Sequence, residues 1–197
     1  MIAPDRKGLQ YISWLTLLGM SAIGVLLISY LQKKGIQDVL LGGRPYYLQA
    51  ITGLFFGSLA ALLAVLFING KRFKTVRRVF EDRVKEINPS FLDILFYSIC
   101  FGVGEEVLFR AGIQPLPHMG IWPAAILFVL LHGYINPSNF NLTLYGLFLV
   151  LIGSGFGYLF KFFGLTSSVI AHCIYDLSIF SVMKYSYKRD EEATKAI

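Results

Sequence analysis

Six ionisable residues stand inside otherwise apolar stretches of this chain: Glu105, Glu106, Arg110, His132, His172 and Asp176. On insertion scales each costs about 2.5–3.5 kcal/mol at the centre of a bilayer, so such residues ordinarily mark function. Helical spacing sorts their roles. Glu106 and Arg110 are four apart and can pair on one face, which lowers the cost of both. Glu105 is turned by about 100° from Glu106 and is left free to face other helices. His172 and Asp176 are again four apart, so the carboxylate can hold the imidazole in one tautomer. Phe128, four residues before His132, is placed to brace that ring.

A carboxylate and two imidazoles in an apolar enclosure suit the activation of water. Glu105 can take a proton from water, His132 can orient the same water, and His172 can donate to the oxyanion formed on a carbonyl. Two histidines with one or two carboxylates are also a possible zinc set. The HExxH arrangement, with its dedicated base beside the ligands, is absent. If Glu105 and both histidines bound a metal, Asp176 or Glu106 would have to serve as base. The scheme without a metal gives every residue a role, so no cofactor is expected. The non-enzymatic readings are a polar cluster that joins helices in a membrane partner protein, or a proton path in a proton-coupled transporter. Transporters often carry inverted repeats, and no convincing repeat is visible.

The elements that must position these residues are membrane helices. Of the 197 residues, 55% are hydrophobic and only 15% charged, and the mean hydropathy is +0.61. A soluble domain carries about a quarter charged residues. The apolar residues fall in long blocks, and a helix needs roughly 20 of them to cross a bilayer. Such runs do not suit a transmembrane barrel, whose strands alternate over about ten residues. The expectation is an all-α membrane protein with six spans, over 10–31, 47–69, 90–114, 121–135, 140–163 and 165–183. A polar tail from Lys184 should fray. The whole of 1–197 reads as one domain, with the reactive residues in a core of about 90–184. At ~1.5 Å per residue in a core of ~30 Å, Glu105, His132 and His172 fall about 21, 14 and 20 Å from the inner side. One shared site is geometrically consistent with these depths.

Charge sets the orientation. With the N-terminus inside, thirteen of the eighteen Lys and Arg face the cytoplasm and four face outward, with Arg110 inside a span. This positive-inside bias makes both termini cytoplasmic. It also accounts for most of the net charge of +6, so no nucleic-acid partner is needed. Between Lys71 and Pro89, the residues Phe73, Val76, Phe80, Val84 and Ile87 recur at spacings of three and four, with Lys and Arg on the other faces. This is the pattern of an amphipathic helix suited to an anionic inner leaflet. The first apolar block is too long for a secretory signal and is followed by Lys33-Lys34, so it is read as a span. Cys100 and Cys173 lie inside apolar blocks, which excludes a disulfide framework. Both read as small buried residues. The pairs Gly53/Gly57 and Gly153/Gly157 suit close helix packing.

Three segments carry a family resemblance. Glu105-Glu106-Val-Leu-Phe-Arg110 resembles the EExxxR motif of the CPBP family (CAAX proteases and bacteriocin-processing enzymes, also called Abi). Phe128-Val-Leu-Leu-His132 resembles its FxxxH motif, and His172-Cys-Ile-Tyr-Asp176 its Hxxx(N/D) motif. The likeness covers about the last hundred residues, in the family's order. It implies a polytopic intramembrane endopeptidase in which Glu105 activates water with His132 as partner. The third motif would stabilise the oxyanion, and Glu106 with Arg110 would be structural. Better-studied members have Asn at the last position of the third motif. Asp176, when ionised, only accepts hydrogen bonds, so it is assigned to orienting His172 or to a metal. The implied partners are membrane lipid and a protein or peptide substrate, prenylated or not. Short loops and no organelle signal point to a prokaryotic plasma membrane.

Overall fold

A computed structural model of the chain describes residues 5–195, with side chains described as far as 186. Among these residues every regular element is a helix. Helix α1 spans Arg6–Leu31, α2 is the short Ile36–Leu40, α3 is Tyr46–Ile68 and α4 is Lys74–Ile87. Helix α5 begins as Phe91–Glu106 and continues with π-helical bonding over Val107–Ile113. Then come α6, Ile121–Leu131, α7, Phe140–Phe162, and α8, Leu165–Lys195. Among the described residues, four helices are long and apolar enough to cross a membrane: α1, α3, α7 and the Leu165–Ser186 part of α8. Helix α5 carries Asp93, Glu105, Glu106 and Arg110. Helix α6, with 11 residues, reaches only ~16 Å.

The packing of α3 is inverted relative to a water-soluble protein. Its buried face is Gln49, Gly53, Gly57, Ala60, Ala61, Ala64 and Ile68, whereas Ile51, Leu54, Phe55, Leu62 and Leu66 stand exposed. In lipid the large apolar side chains have no reason to turn inward, and small residues let backbones approach. Both glycines of the first pair use that freedom against α8. A Cβ at Gly53 would lie 2.6 Å from the Ser167 carbonyl oxygen, and one at Gly57 2.5 Å from that of Ala171. The seam therefore runs directly behind His172.

The polar helix ends sort into two groups. At one end Arg6 pairs with Asp93 at 2.5 Å. There Lys184 also donates to the Pro89 carbonyl, Ser186 to Glu81 at 2.7 Å and Arg72 to Asn141 at 2.9 Å. At the other end the Arg44 amide donates to the Phe163 carbonyl at 2.7 Å, and Gln32 donates to the carbonyls of Ala111 and Gly112. Ser90 caps α5 in a reciprocal box with Asp93, so one carboxylate closes the helix start and anchors α1.

Three segments differ in detail from the sequence reading. The fourth span ends at Leu131 rather than near Ile135, because Gly133 takes a left-handed φ of 72° and closes the helix as a C-terminal glycine does. The Asn136-Pro137 pair lies beyond that stop. The last helix does not end at Met183 but runs on to Lys195, through a polar stretch with neither Gly nor Pro to stop it. The segment after Lys71 does form a helix, and its apolar face lies on the protein: Phe73, Val76 and Val84 are buried, and Phe80 packs on the same core.

Candidate active site

Three helices deliver the reactive side chains to one place. Glu105 and Glu106 close the α-helical part of α5, and the π-helical turn carrying Arg110 starts at the next residue. Such π segments are frequent at functional sites. His132 is the C-cap residue of α6, so the Gly133 stop presents its ring at a helix end. His172 and Asp176 come from α8. Close backbone contacts hold α5 in place on both sides. A Cβ at Gly104 would meet the Thr16 carbonyl oxygen at 2.3 Å, and one at Gly102 would meet the Cys173 sulfur at 2.5 Å.

Glu106 is the centre of the buried half. Its Oε2 accepts from Arg110 Nε at 3.1 Å, and its Oε1 lies 2.9 Å from His172 Nδ1. Both Glu106 and Arg110 are completely buried. Two readings from spacing are corrected here. Glu106 is not confined to Arg110 but also fixes His172, and it does so at the nitrogen that sets the tautomer. Asp176 Oδ2 lies instead 3.7 Å from His172 Nε2, beyond direct hydrogen-bond reach. An ionised Glu106 accepts only, so His172 Nδ1 is a donor and Nε2 is the nitrogen left for other chemistry.

Glu105 sits in the open half, between the two imidazoles. Its Oε1 is 3.6 Å from His132 Nε2, and its Oε2 is 3.6 Å from His172 Nε2. His132 Nδ1 lies 2.8 Å from the Phe128 carbonyl oxygen. That carbonyl can only accept, so Nδ1 carries the hydrogen and Nε2 faces Glu105. Phe128 braces the ring as well, at 4.2 Å between centroids. Side-chain exposure rises from 6% at His172 and 8% at Glu105 to 16% at Asp176 and 31% at His132, which marks His132 as the open side. Separations of 3.6 Å are too long for direct hydrogen bonds and leave both groups open to a water on the cavity side. The described residues include no group of three or more His, Cys, Asp or Glu drawn together as a metal site.

A cavity of about 470 Å³ contains Glu105, His132, His172 and Asp176 in its lining. The rest of its wall is mainly apolar and aromatic, with Ile68, Phe80, Leu149, Phe156, Phe180 and Met183 among the contributors. Spacing rules did not find Phe156, which stacks on His172 at 5.1 Å. They also missed Tyr134, Tyr145 and Tyr175, which line the same cavity. The available signal was the tyrosine itself: a phenol within an apolar span has a polar tip that needs a partner.

A carboxylate flanked by two imidazoles thus lies in a largely apolar cavity among helices long and apolar enough to cross a membrane. Residues 87–178 match the family described as type II CAAX prenyl endopeptidase Rce1-like. That stretch holds all three motifs, and over it the chain is similar to the CAAX-protease family of membrane hydrolases. No curated protein and no solved structure gives a significant match.

Proposed function

We propose that this chain is an intramembrane glutamic endopeptidase that hydrolyses a peptide bond in a membrane-associated protein or peptide. One observation above all supports the reading: each oxygen of Glu105 has an imidazole Nε2 3.6 Å away. A water held between Glu105 and His132 would be polarised from two sides. Its oxygen attacks the scissile carbonyl carbon while Glu105 takes its proton, and the carbonyl electron pair moves onto oxygen. Glu105 then returns the proton to the leaving amine as the C–N bond breaks. His172 stabilises the oxyanion from Nε2, which requires the doubly protonated ring because Nδ1 is held by Glu106. Asp176 Oδ2 lies 3.7 Å from that Nε2. Glu106 and Arg110 act as the structural ion pair that holds His172 in register.

No step in this scheme needs a metal. The family description brings a CAAX-type, prenylated substrate into consideration, and the largely apolar cavity is compatible with a lipidated chain. In the membrane we place six crossings, adding α5 and the short α6 with its following loop to the four long apolar helices, within a single domain. Both termini and α4 face the cytoplasm, following the thirteen-to-four distribution of Lys and Arg, and the membrane is a prokaryotic plasma membrane. The test is to incubate the purified protein, in lipid, with farnesylated and unmodified peptides ending in a CAAX box, and to sequence the products by mass spectrometry. Cleavage at one bond, absent in Glu105→Gln, is expected. Peptides left intact by wild-type protein, or cut equally by Glu105→Gln, would refute the reading.

A further inference from the structure

The oxyanion formed when water adds to a peptide carbonyl needs donors aimed at it in a site that excludes bulk water. The centre described above is short of donors. Glu105, Glu106 and Asp176 only accept when ionised. His132 has Nδ1 committed to the Phe128 carbonyl and Nε2 turned to Glu105. His172 has Nδ1 committed to Glu106. The three tyrosines lining the cavity bring hydroxyl donors that need no change of charge. Of the three, Tyr134 is the one whose ring stacks with the His132 imidazole.

Its position suits the task. Tyr134 follows His132 by two residues, on the loop between α6 and α7. Its ring lies parallel to the imidazole within 4°, at 6.1 Å between centroids. Tyr134 lines the same cavity as Glu105 and Asp176. The ring is held edge-on by Tyr145 at 5.8 Å and flanked by Phe80 at 6.2 Å. Its backbone rests on Gly146 of α7, where a Cβ would come within 2.9 Å of the Tyr134 carbonyl oxygen. A loop residue held from two helices, in the same cavity wall as Glu105, is preorganised as electrostatic catalysis requires.

We propose that the Tyr134 hydroxyl donates a hydrogen bond to the oxyanion of the tetrahedral intermediate, as a catalytic residue outside the three motifs. The proposal rests on the hydrolytic reading above. Tyr134 keeps its own proton throughout: the water proton goes to Glu105, and the phenol contributes a hydrogen bond that strengthens as negative charge grows on the carbonyl oxygen.

The experiment is steady-state cleavage of one peptide by Tyr134→Phe, which keeps the ring and its contacts, beside Tyr145→Phe, Tyr175→Phe and Glu105→Gln. Tyr134→Phe should lower kcat by about 10²-fold, the usual effect of losing one oxyanion donor, with KM within about twofold. The other two tyrosine variants should fall much less. Gly146→Ala, which pushes on the Tyr134 backbone, should lower kcat in wild type and add nothing in the Tyr134→Phe background. A kcat in Tyr134→Phe within about threefold of wild type, or a loss confined to KM, overturns the proposal. An inactive Glu105→Gln beside a fully active Tyr134→Phe removes Tyr134 and leaves the hydrolytic reading standing. An active Glu105→Gln removes Glu105 as base, while a kcat loss in Tyr134→Phe still supports the donor.

Discussion

Glu105 and Glu106 are neighbours in sequence, yet they sit in halves of the site built on opposite rules. Around Glu106 the geometry is closed: 3.1 Å to Arg110, 2.9 Å to His172, and no exposure. Around Glu105 it is open: 3.6 Å to each imidazole, in the wall of a cavity. A buried charge without a partner is expensive, so the scaffold half satisfies its charges within the protein. The other half leaves its groups without direct hydrogen bonds to each other in the wall of a cavity, where water or a carbonyl can approach from the open side. A single residue step, about 100° around the helix, thus separates the carboxylate of the buried ion pair from the carboxylate in the cavity wall.

The sharpest way to break this contrast is to alter each carboxylate in turn. Glu105→Gln, His132→Ala and His172→Ala should each lower kcat by at least about 10²-fold. The amount of folded, inserted protein, read by size-exclusion chromatography, should stay near wild type. Glu106→Ala and Arg110→Ala should instead destabilise by about 3–5 kcal/mol, because each leaves a buried charge unpaired. Their signature is loss of folded protein in a thermal or denaturant melt before any kinetic defect is read. A well-folded Arg110→Ala would show that the closed half is less essential than its geometry implies.

A smaller effect should come from behind the site. Gly57→Ala brings a Cβ against the Ala171 carbonyl, and overpacking of this kind costs about 1–3 kcal/mol. It should lower the melting temperature and reduce activity moderately by shifting His172. Equal activity and stability would mean that the α3–α8 seam does not position the histidine. The smallest change is a cysteine placed at Arg78, on the exposed face of α4, which should leave activity intact. It should be labelled only after the cytoplasmic side is opened. Labelling from outside would reverse the orientation.

The sequence disclosed the clustered ionisable residues because their cost in lipid makes them conspicuous, and it disclosed the long helices because apolar runs have few other readings. Spacing along one helix also found the Glu106–Arg110 pair. It had no access to Glu106–His172, whose partners are 66 residues apart. Nor did it anticipate that Gly133 would stop α6 and set His132 at a helix end, because the more familiar Asn-Pro signal three residues later drew the boundary. Apolar periodicity identified the buried face of α4 but not its neighbour: lipid and the apolar surface of α8 select the same residues.

The central claim is that the Glu105–imidazole arrangement acts on water directly. Metal content measured by elemental analysis on the same purified preparation that is assayed for cleavage tests it most directly, with chelation and re-metallation as companions. The account predicts full activity with far less than one equivalent of transition metal, unchanged by chelation. Near one equivalent of zinc, with activity lost on its removal and restored on its return, would contradict it.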